Sequence, residues 1–261
     1  MLKDLFKYTD IELPNDCYVK ISPSQIDKFF KLPSIWYKEN VLLEPRTNDV
    51  LGDTGRLLGT VLHKIYECVA NNIKITREDI DTSIDDYLMK NPLIVANIND
   101  IKNLYPLMSE VTVNSYVIPN RHKKVETEVS LSYKLDDGVY LAGTVDRIED
   151  NTVIVDYKNE STKPANLTNI PFKYKIQMLS YAYLQYKNTG IKPNKLSVVY
   201  TIRPTKTLLA RCFVVSETIF DSDWKLIEDT LQLMTESIIM TKKNPDIVHL
   251  IFKSMELKNG C

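Results

Sequence analysis

The sequence predicts an α/β fold, a sheet core flanked by helices with a helical N-terminal elaboration, and three observations carry that expectation. Apolar residues recur at helical spacing in most of the stretch from about residue 22 to 117. From Lys124 the period changes to two, as in strands with two different faces. Beyond residue 171 helical and strand patterns alternate again, which is how helices come to cover a sheet.

Residues 1–20 read as an irregular lead-in containing Pro14. Ser22-Pro23-Ser24 opens a helix in which Ile26, Phe29 and Phe30 recur, with Ser22 or Ser24 as N-cap and Pro33 as the stop. Leu58, Leu62, Ile65, Tyr66 and Val69 fall on one face of a second helix from about Gly55 to Asn71. Two more helical patterns follow, roughly 76–90 and 99–117.

In the next segment Val125, Thr127, Val129, Leu131 and Tyr133 alternate with Glu126, Glu128, Ser130 and Ser132, which makes a strand. Asp136-Asp137-Gly138 is a hairpin signal leading to a second strand, Val139 to Ile148. Glu149-Asp150-Asn151 turns into a third, Thr152 to Lys158, so the three form an antiparallel meander. After a loop with Pro164 and Pro171 come a helix from about Phe172 to Lys187, strands at 196–202 and 210–215, and a helix from Asp221 to Lys242. No repeat or linker divides the chain. It reads as one domain over 1–261, with a mainly helical part at 1–120, a sheet core at 121–220, and a C-terminal helix and tail at 221–261.

Composition narrows the classes. With 44% hydrophobic residues and only 7 Gly in 261, the chain is neither disordered nor low-complexity. Its formal charge of −1 excludes a uniformly basic nucleic-acid binder. Four cysteines without a Cys-x-x-Cys pair fit a reducing compartment. The N-terminus lacks a signal-peptide core, and no run of about 18 apolar residues appears. A soluble, cytoplasmic protein with no membrane partner is expected.

Chemistry concentrates on the meander. Asp146 lies near the end of the second strand, and Asp156-Tyr157-Lys158 ends the third. A short turn between them brings two carboxylates and an ammonium to one sheet edge. Carboxylates of this kind hold hard divalent cations such as Mg²⁺, which neutralise phosphate charge and activate water. Lys158, two residues after Asp156, shares its face and is placed to hold or help deprotonate that water. Gly59-Thr60-Val61-Leu62-His63 puts a histidine on the second helix.

The ordered set Gly59-x-x-x-His63, Glu128, Gly143-x-x-Asp146-Arg147, Asp156-Tyr157-Lys158 and Gln177-x-x-x-Tyr181 resembles the PD-(D/E)xK nucleases of the RecB type. That branch includes the RecB and AddB nuclease domains and the CRISPR-associated RecB-like exonucleases. The resemblance, over residues 22 to about 190, implies a restriction-endonuclease-like core with a mixed central sheet. It implies that His63, Asp146, Asp156 and the backbone carbonyl of Tyr157 ligate Mg²⁺ or Mn²⁺, and that Lys158 is the catalytic lysine. Glu128 matches the family's strand glutamate, with Glu126 on the same face as fallback. Gln177 and Tyr181 would position the DNA strand near the metal.

The activity so implied is hydrolysis of DNA phosphodiester bonds, an exonuclease action on single strands or ends. Recombination, repair, replication or phage DNA processing is the implied setting, with protein partners from such complexes. A catalytically silent DNA-binding or assembly subunit and an endonuclease are the alternatives. The intact Asp146, Asp156 and Lys158 argue against the first, and the GxxxH and QxxxY patterns against the second.

Many RecB-type nucleases carry a 4Fe-4S cluster, but here Leu32, Phe252 and Met255 stand at three of the four cysteine positions and only Cys261 remains. No iron-sulfur cluster is expected, since thiolates hold such clusters; a hydrophobic clasp of those three residues would join the same chain ends. Charge is also local. Residues 156–211 hold ten Lys/Arg against two acids, a net +8, leaving −9 elsewhere. Lys173 and Lys175, beside Gln177, are the expected phosphate contacts of this strip.

Overall fold

A computed structural model describes residues 11–44 and 50–244. In order they form β1 (Val19–Ile21), α1 (Ile26–Lys31), α2 (Pro33–Asn40), α3 (Val50–Ala70), α4 (Arg77–Lys90), α5 (Ile98–Thr112), β2 (Val125–Asp136), β3 (Val139–Glu149), β4 (Val153–Glu160), α6 (Phe172–Thr189), β5 (Lys195–Ile202), β6 (Arg211–Thr218) and α7 (Asp221–Lys243). One turn of π-helix, Val113–Val117, extends α5. No described helix is long and apolar enough to cross a membrane.

The strands make one mixed sheet in the order β1-β3-β4-β5-β6, with β2 also on β3. The β2-β3-β4 meander is antiparallel, as its turns require. Gly138 takes φ 77° in the first turn, and Asp150 and Asn151 take φ 51° and 61° in the second, the left-handed pair of a tight hairpin. β4 and β5 run parallel across the α6 crossover, while β6 returns antiparallel.

Alternation along the strands feeds two cores. Ile154 of β4 joins Leu196, Val198 and Tyr200 of β5 beneath α1, α2, α6 and α7. Val155 and Tyr157 face the other way with Val199, against Leu58, Leu62 and Tyr66 of α3 and Ile101 and Met108 of α5. Thr201 ties this second layer down, sharing hydrogen bonds with Thr112 (2.6 Å) and Tyr66 (3.0 Å). The expected α/β class with a mixed sheet flanked by helices is therefore what the chain forms.

Two local expectations need correction and one needs extending. The lead-in contains β1, whose Val19, Lys20 and Ile21 pair in parallel with Val139, Tyr140 and Leu141. α1 stops at Lys31, before Pro33 as expected, but Pro33 also starts a second helix, α2, at the first-turn position where its missing N–H costs nothing. The second helix begins at Val50, earlier than Gly55. Leu32 lies between α1 and α2 and is 41% exposed, whereas Phe252, Met255 and Cys261 lie outside the described residues.

The sheet has a fork. β2 lines β3 from Glu149 to Val139, so β1 and β4 share the opposite edge, β1 at 139–141 and β4 at 147–149. Between them that edge is filled by Pro23 and Tyr181, which crowd Gly143 so closely that a Cβ there would lie 2.9 Å from Pro23 Cδ and 3.0 Å from Tyr181 Cε1. Gly143→Ala is expected to destabilise the fold by about 1–3 kcal/mol, the usual cost of overpacking. Urea unfolding checks this, and an unchanged midpoint would refute the crowding.

Candidate active site

The fork is where the polar residues meet. As β4 leaves β3 after the Arg147–Val155 pair, the Asp146 carboxylate takes over the pairing, accepting a hydrogen bond from the Tyr157 N–H at 2.8 Å. α3 crosses above and lowers His63 onto the same point. His63 Nδ1 is 3.4 Å from Asp146 Oδ1, and Nε2 is 3.2 Å from the Tyr157 carbonyl oxygen.

Glu128 reaches the cluster by an unusual backbone. The β2-β3 pairing keeps the same register from Thr127–Arg147 to Val129–Val145 but skips Glu128, which lies across from Asp146 with φ 50°. A left-handed glutamate within a strand is a costly conformation of the kind found at functional sites. Ligand atoms of His63, Glu128 and Asp146 come within 4.8 Å of one another. Glu126 is exposed on β2 and pairs with Lys124 at 3.4 Å.

Asp156 and Lys158 occupy the adjoining position. Lys158 Nζ lies 2.8 Å from Asp156 Oδ2 and donates to Gln177 Oε1 at 3.4 Å. The Lys158 ammonium is the partner of this buried oxygen, which has room for a further cation on its remaining lone pair. Gln177 Nε2 donates to Asp156 Oδ1 and to the Tyr181 hydroxyl, each at 3.3 Å. Gln177 and Tyr181 thus line the floor from one face of α6, as their i, i+4 spacing requires.

The electrostatics of this cluster favour a cation. Burial alone would lower the His63 pKa, but the charge and hydrogen bond of Asp146, with Glu128 and Asp156 behind it, raise it to about 9. Burial would likewise raise Asp146; the His63 imidazolium, Lys158 and the Tyr157 N–H outweigh it and hold the carboxyl below its ordinary range. Glu128 is pushed up to about 7, mainly by burial and then by Asp146. Asp156 rises to about 6, again by burial first, with Lys158 opposing and Asp146 adding to the shift. Lys158 is held above its normal pKa, because the charges of Asp156 and Asp146 overcome its desolvation. One imidazole nitrogen, crowded carboxylates and a carbonyl are a donor set that fits a divalent metal.

The two surface lysines separate. Lys173 is exposed and lies over the Tyr174 ring at 4.3 Å. Lys175 is ion-paired with Glu217 (3.0 Å) and Asp223 (2.9 Å), so its ammonium is committed within the protein instead of standing free on the basic strip.

Two further neighbours close the site. The Tyr174 hydroxyl donates to Glu160 while its ring lies 5.0 Å from Lys158 Nζ, closing the far side of the lysine. Glu160 escaped the sequence reading although it extends the alternation Asp156, Lys158; Tyr174, three residues before Gln177, is readable from the sequence as an aromatic near the site, and here it is engaged by Glu160.

The fold and the sequence have known counterparts. A protein from Eubacterium rectale described as a "Putative exonuclease" superposes with a TM-score of 0.57 at 14% identity, covering 89% of this chain and 87% of its own. An alkaline exonuclease from Laribacter hongkongensis aligns with a TM-score of 0.36 at 15% identity, over 78% of this chain and 100% of its own. No curated protein sequence matches. The PD-(D/E)XK nuclease superfamily model matches residues 20–242, from β1 into the last turn of α7, and the chain belongs to that superfamily.

Proposed function

We propose that this chain is a divalent-metal-dependent deoxyribonuclease of the RecB-type branch, acting as an exonuclease on single-stranded DNA or DNA ends. The observation that carries the reading is the meeting of His63, Glu128 and Asp146 at the sheet fork, one step from the Asp156–Lys158 pair. Gly59-x-x-x-His63 and Gln177-x-x-x-Tyr181 support the branch. The whole chain would act as one nuclease domain in a reducing, cytoplasmic setting. Leu32 at a cluster-cysteine position supports operation without an iron-sulfur cluster. Recombination, repair or replication, with protein partners there, is the setting the branch implies.

In this reading His63, Asp146 and Glu128, with Asp156 and the Tyr157 carbonyl, would hold Mg²⁺ or Mn²⁺. When bound, the metal supplies Lewis-acid stabilisation of phosphate charge and activates water. Lys158, with its raised pKa, works as a fixed positive charge facing the reacting phosphate, a role that a cation fills better than a base. Gln177 holds Lys158 and Asp156 in register, since its amide bonds both. Tyr181 braces Gln177 and the fork, and Lys173 offers an exposed cation to the strand.

Metal binding must displace the His63 proton and compete with protonation of Glu128. Affinity for Mg²⁺ or Mn²⁺ is therefore expected to rise from pH 6 to pH 9, by roughly tenfold per unit for each proton displaced below its pKa. Calorimetry in buffers of different ionisation enthalpy would count the protons released. An affinity flat across that range would contradict the assigned ligands.

The test of function is incubation of end-labelled single-stranded, duplex and circular DNA with Mg²⁺ or Mn²⁺, followed by product sizing. Mononucleotides or short fragments released from ends, with circles untouched and EDTA stopping the reaction, are expected. Cleaved circles would make it an endonuclease. No hydrolysis of any substrate with either metal would overturn the reading.

A further inference from the structure

α3 presents more than His63 to the sheet. Gly55, Gly59 and His63 are spaced four apart and share one helix face, so the last two turns before the histidine have no side chain on that face. Opposite them stand Asn159 of β4 and Arg203, the residue after β5. A Cβ at Gly59 would lie 3.6 Å from Asn159 Nδ2, and one at Gly55 would lie 3.1 Å from an Arg203 guanidinium nitrogen. Strand pairing fixes this arrangement. Asn159 is opposite Thr201, and the Arg203 N–H donates to the Glu160 carbonyl at 2.9 Å.

Arg203 holds a buried donor without a partner, Nε. An unsatisfied buried group of this kind is destabilising by itself, and an arginine is ordinarily placed where its fork meets an anion. Among the described residues no carboxylate comes within ion-pair distance of Arg203. The row Tyr157 carbonyl and His63, then Asn159, then Arg203 advances along β4 in steps of about 7 Å per two residues, similar to the phosphate spacing of an extended nucleic-acid strand. Gly55 and Gly59 let α3 pack directly on Arg203 and Asn159, and the row is polar and cationic at its far end. We propose that Arg203, with Asn159 beside it, binds a backbone phosphate of the DNA strand next to the one at the metal cluster.

This inference rests on the nuclease reading, and the experiment separates the two. Binding of a fluorescein-labelled single-stranded oligonucleotide is followed by anisotropy in EDTA across a salt series, for the wild-type protein, Arg203→Met and Arg203→Lys. Arg203→Met should bind about tenfold more weakly, and the slope of log Kd against log salt should fall by about 0.7, one phosphate contact on a single strand. Arg203→Lys keeps the charge and loses the fork, so it should restore the slope while recovering only part of the affinity. Should Arg203→Met prove unfolded by circular dichroism, Arg203→Lys decides alone: weaker binding at unchanged slope supports the contact, and wild-type affinity overturns it. Wild-type affinity and slope in a folded Arg203→Met would overturn the contact while metal-dependent cleavage by the wild-type protein left the nuclease reading standing. A wild-type protein that neither bound nor cut DNA would remove both.

Discussion

Replacing Lys158 with methionine is expected to lower metal-dependent DNA cleavage by about 10²- to 10³-fold, the usual cost of removing a charge aimed at the reacting group. Methionine keeps the unbranched apolar stem and deletes only the ammonium that sits 2.8 Å from Asp156 and bonds Gln177. The fold should survive. Asp156 already has its pKa raised to about 6 by burial, so without Lys158 it takes up a proton instead of remaining a buried charge. Asp146→Ala and Asp156→Ala are expected to bring cleavage below detection. Asp146 bonds both His63 and the Tyr157 N–H, and Asp156 holds the Lys158 ammonium. Single-turnover cleavage of end-labelled DNA, with circular dichroism to verify folding, measures all three. Metal-dependent activity retained by every variant would remove the site assignment.

How much of this was legible in the sequence depends on whether a residue's partners are near or far along the chain. Asp156 and Lys158 share a face because a strand alternates, and Gln177 and Tyr181 share one because a helix repeats, so local periodicity carried them. The meander's turns were likewise local, in Asp-Gly and Asp-Asn. β1 was not, because three residues make a strand only when Val139 to Leu141 arrive to pair with them. Pro33 was ambiguous in kind, since the same missing N–H stops one helix and starts another. The left-handed φ of Glu128 runs against local preference, and the cluster of His63 and Asp146 around it is assembled by residues 65 positions before and 18 after. Lys175 read as part of a basic strip because its partners, Glu217 and Asp223, are more than forty residues away. Charge summed along a segment therefore overstates the cations free to meet phosphate.

The largest effect on stability is expected from Glu149→Ala, and it tests how the fork is supported from beneath. Arg147 and Glu149 are essentially inaccessible to solvent, at 0% and 1% exposure, and follow Asp146 at the base of the fork. Glu149 accepts from Arg147 Nε at 2.8 Å, Lys123 Nζ at 2.6 Å and the Tyr116 hydroxyl at 3.1 Å. Arg147 also donates to the Asn120 carbonyl at 3.2 Å and lies over the Tyr116 ring. Removing Glu149 leaves the guanidinium buried without its carboxylate, a change that costs about 3–5 kcal/mol. Lys123 is partly exposed and can turn to water, whereas Arg147 has no such exit. Tyr116→Phe removes one hydrogen bond and should cost about 1–2 kcal/mol. The double change Arg147→Met, Glu149→Leu should regain most of the stability lost in Glu149→Ala, because an apolar pair carries no desolvation penalty. Urea unfolding of the set checks the order. A Glu149→Ala loss below about 1 kcal/mol, or a double variant no better than the single, would show that the pair is not what holds β3 to β4 at 147–149. The consequence for the site is specific: the Arg147–Val155 pair is the last before the strands separate, so a loosened pair blurs the point at which Asp146 meets the Tyr157 N–H. Metal affinity in Glu149→Ala should therefore fall, although Glu149 is no part of the candidate ligand set.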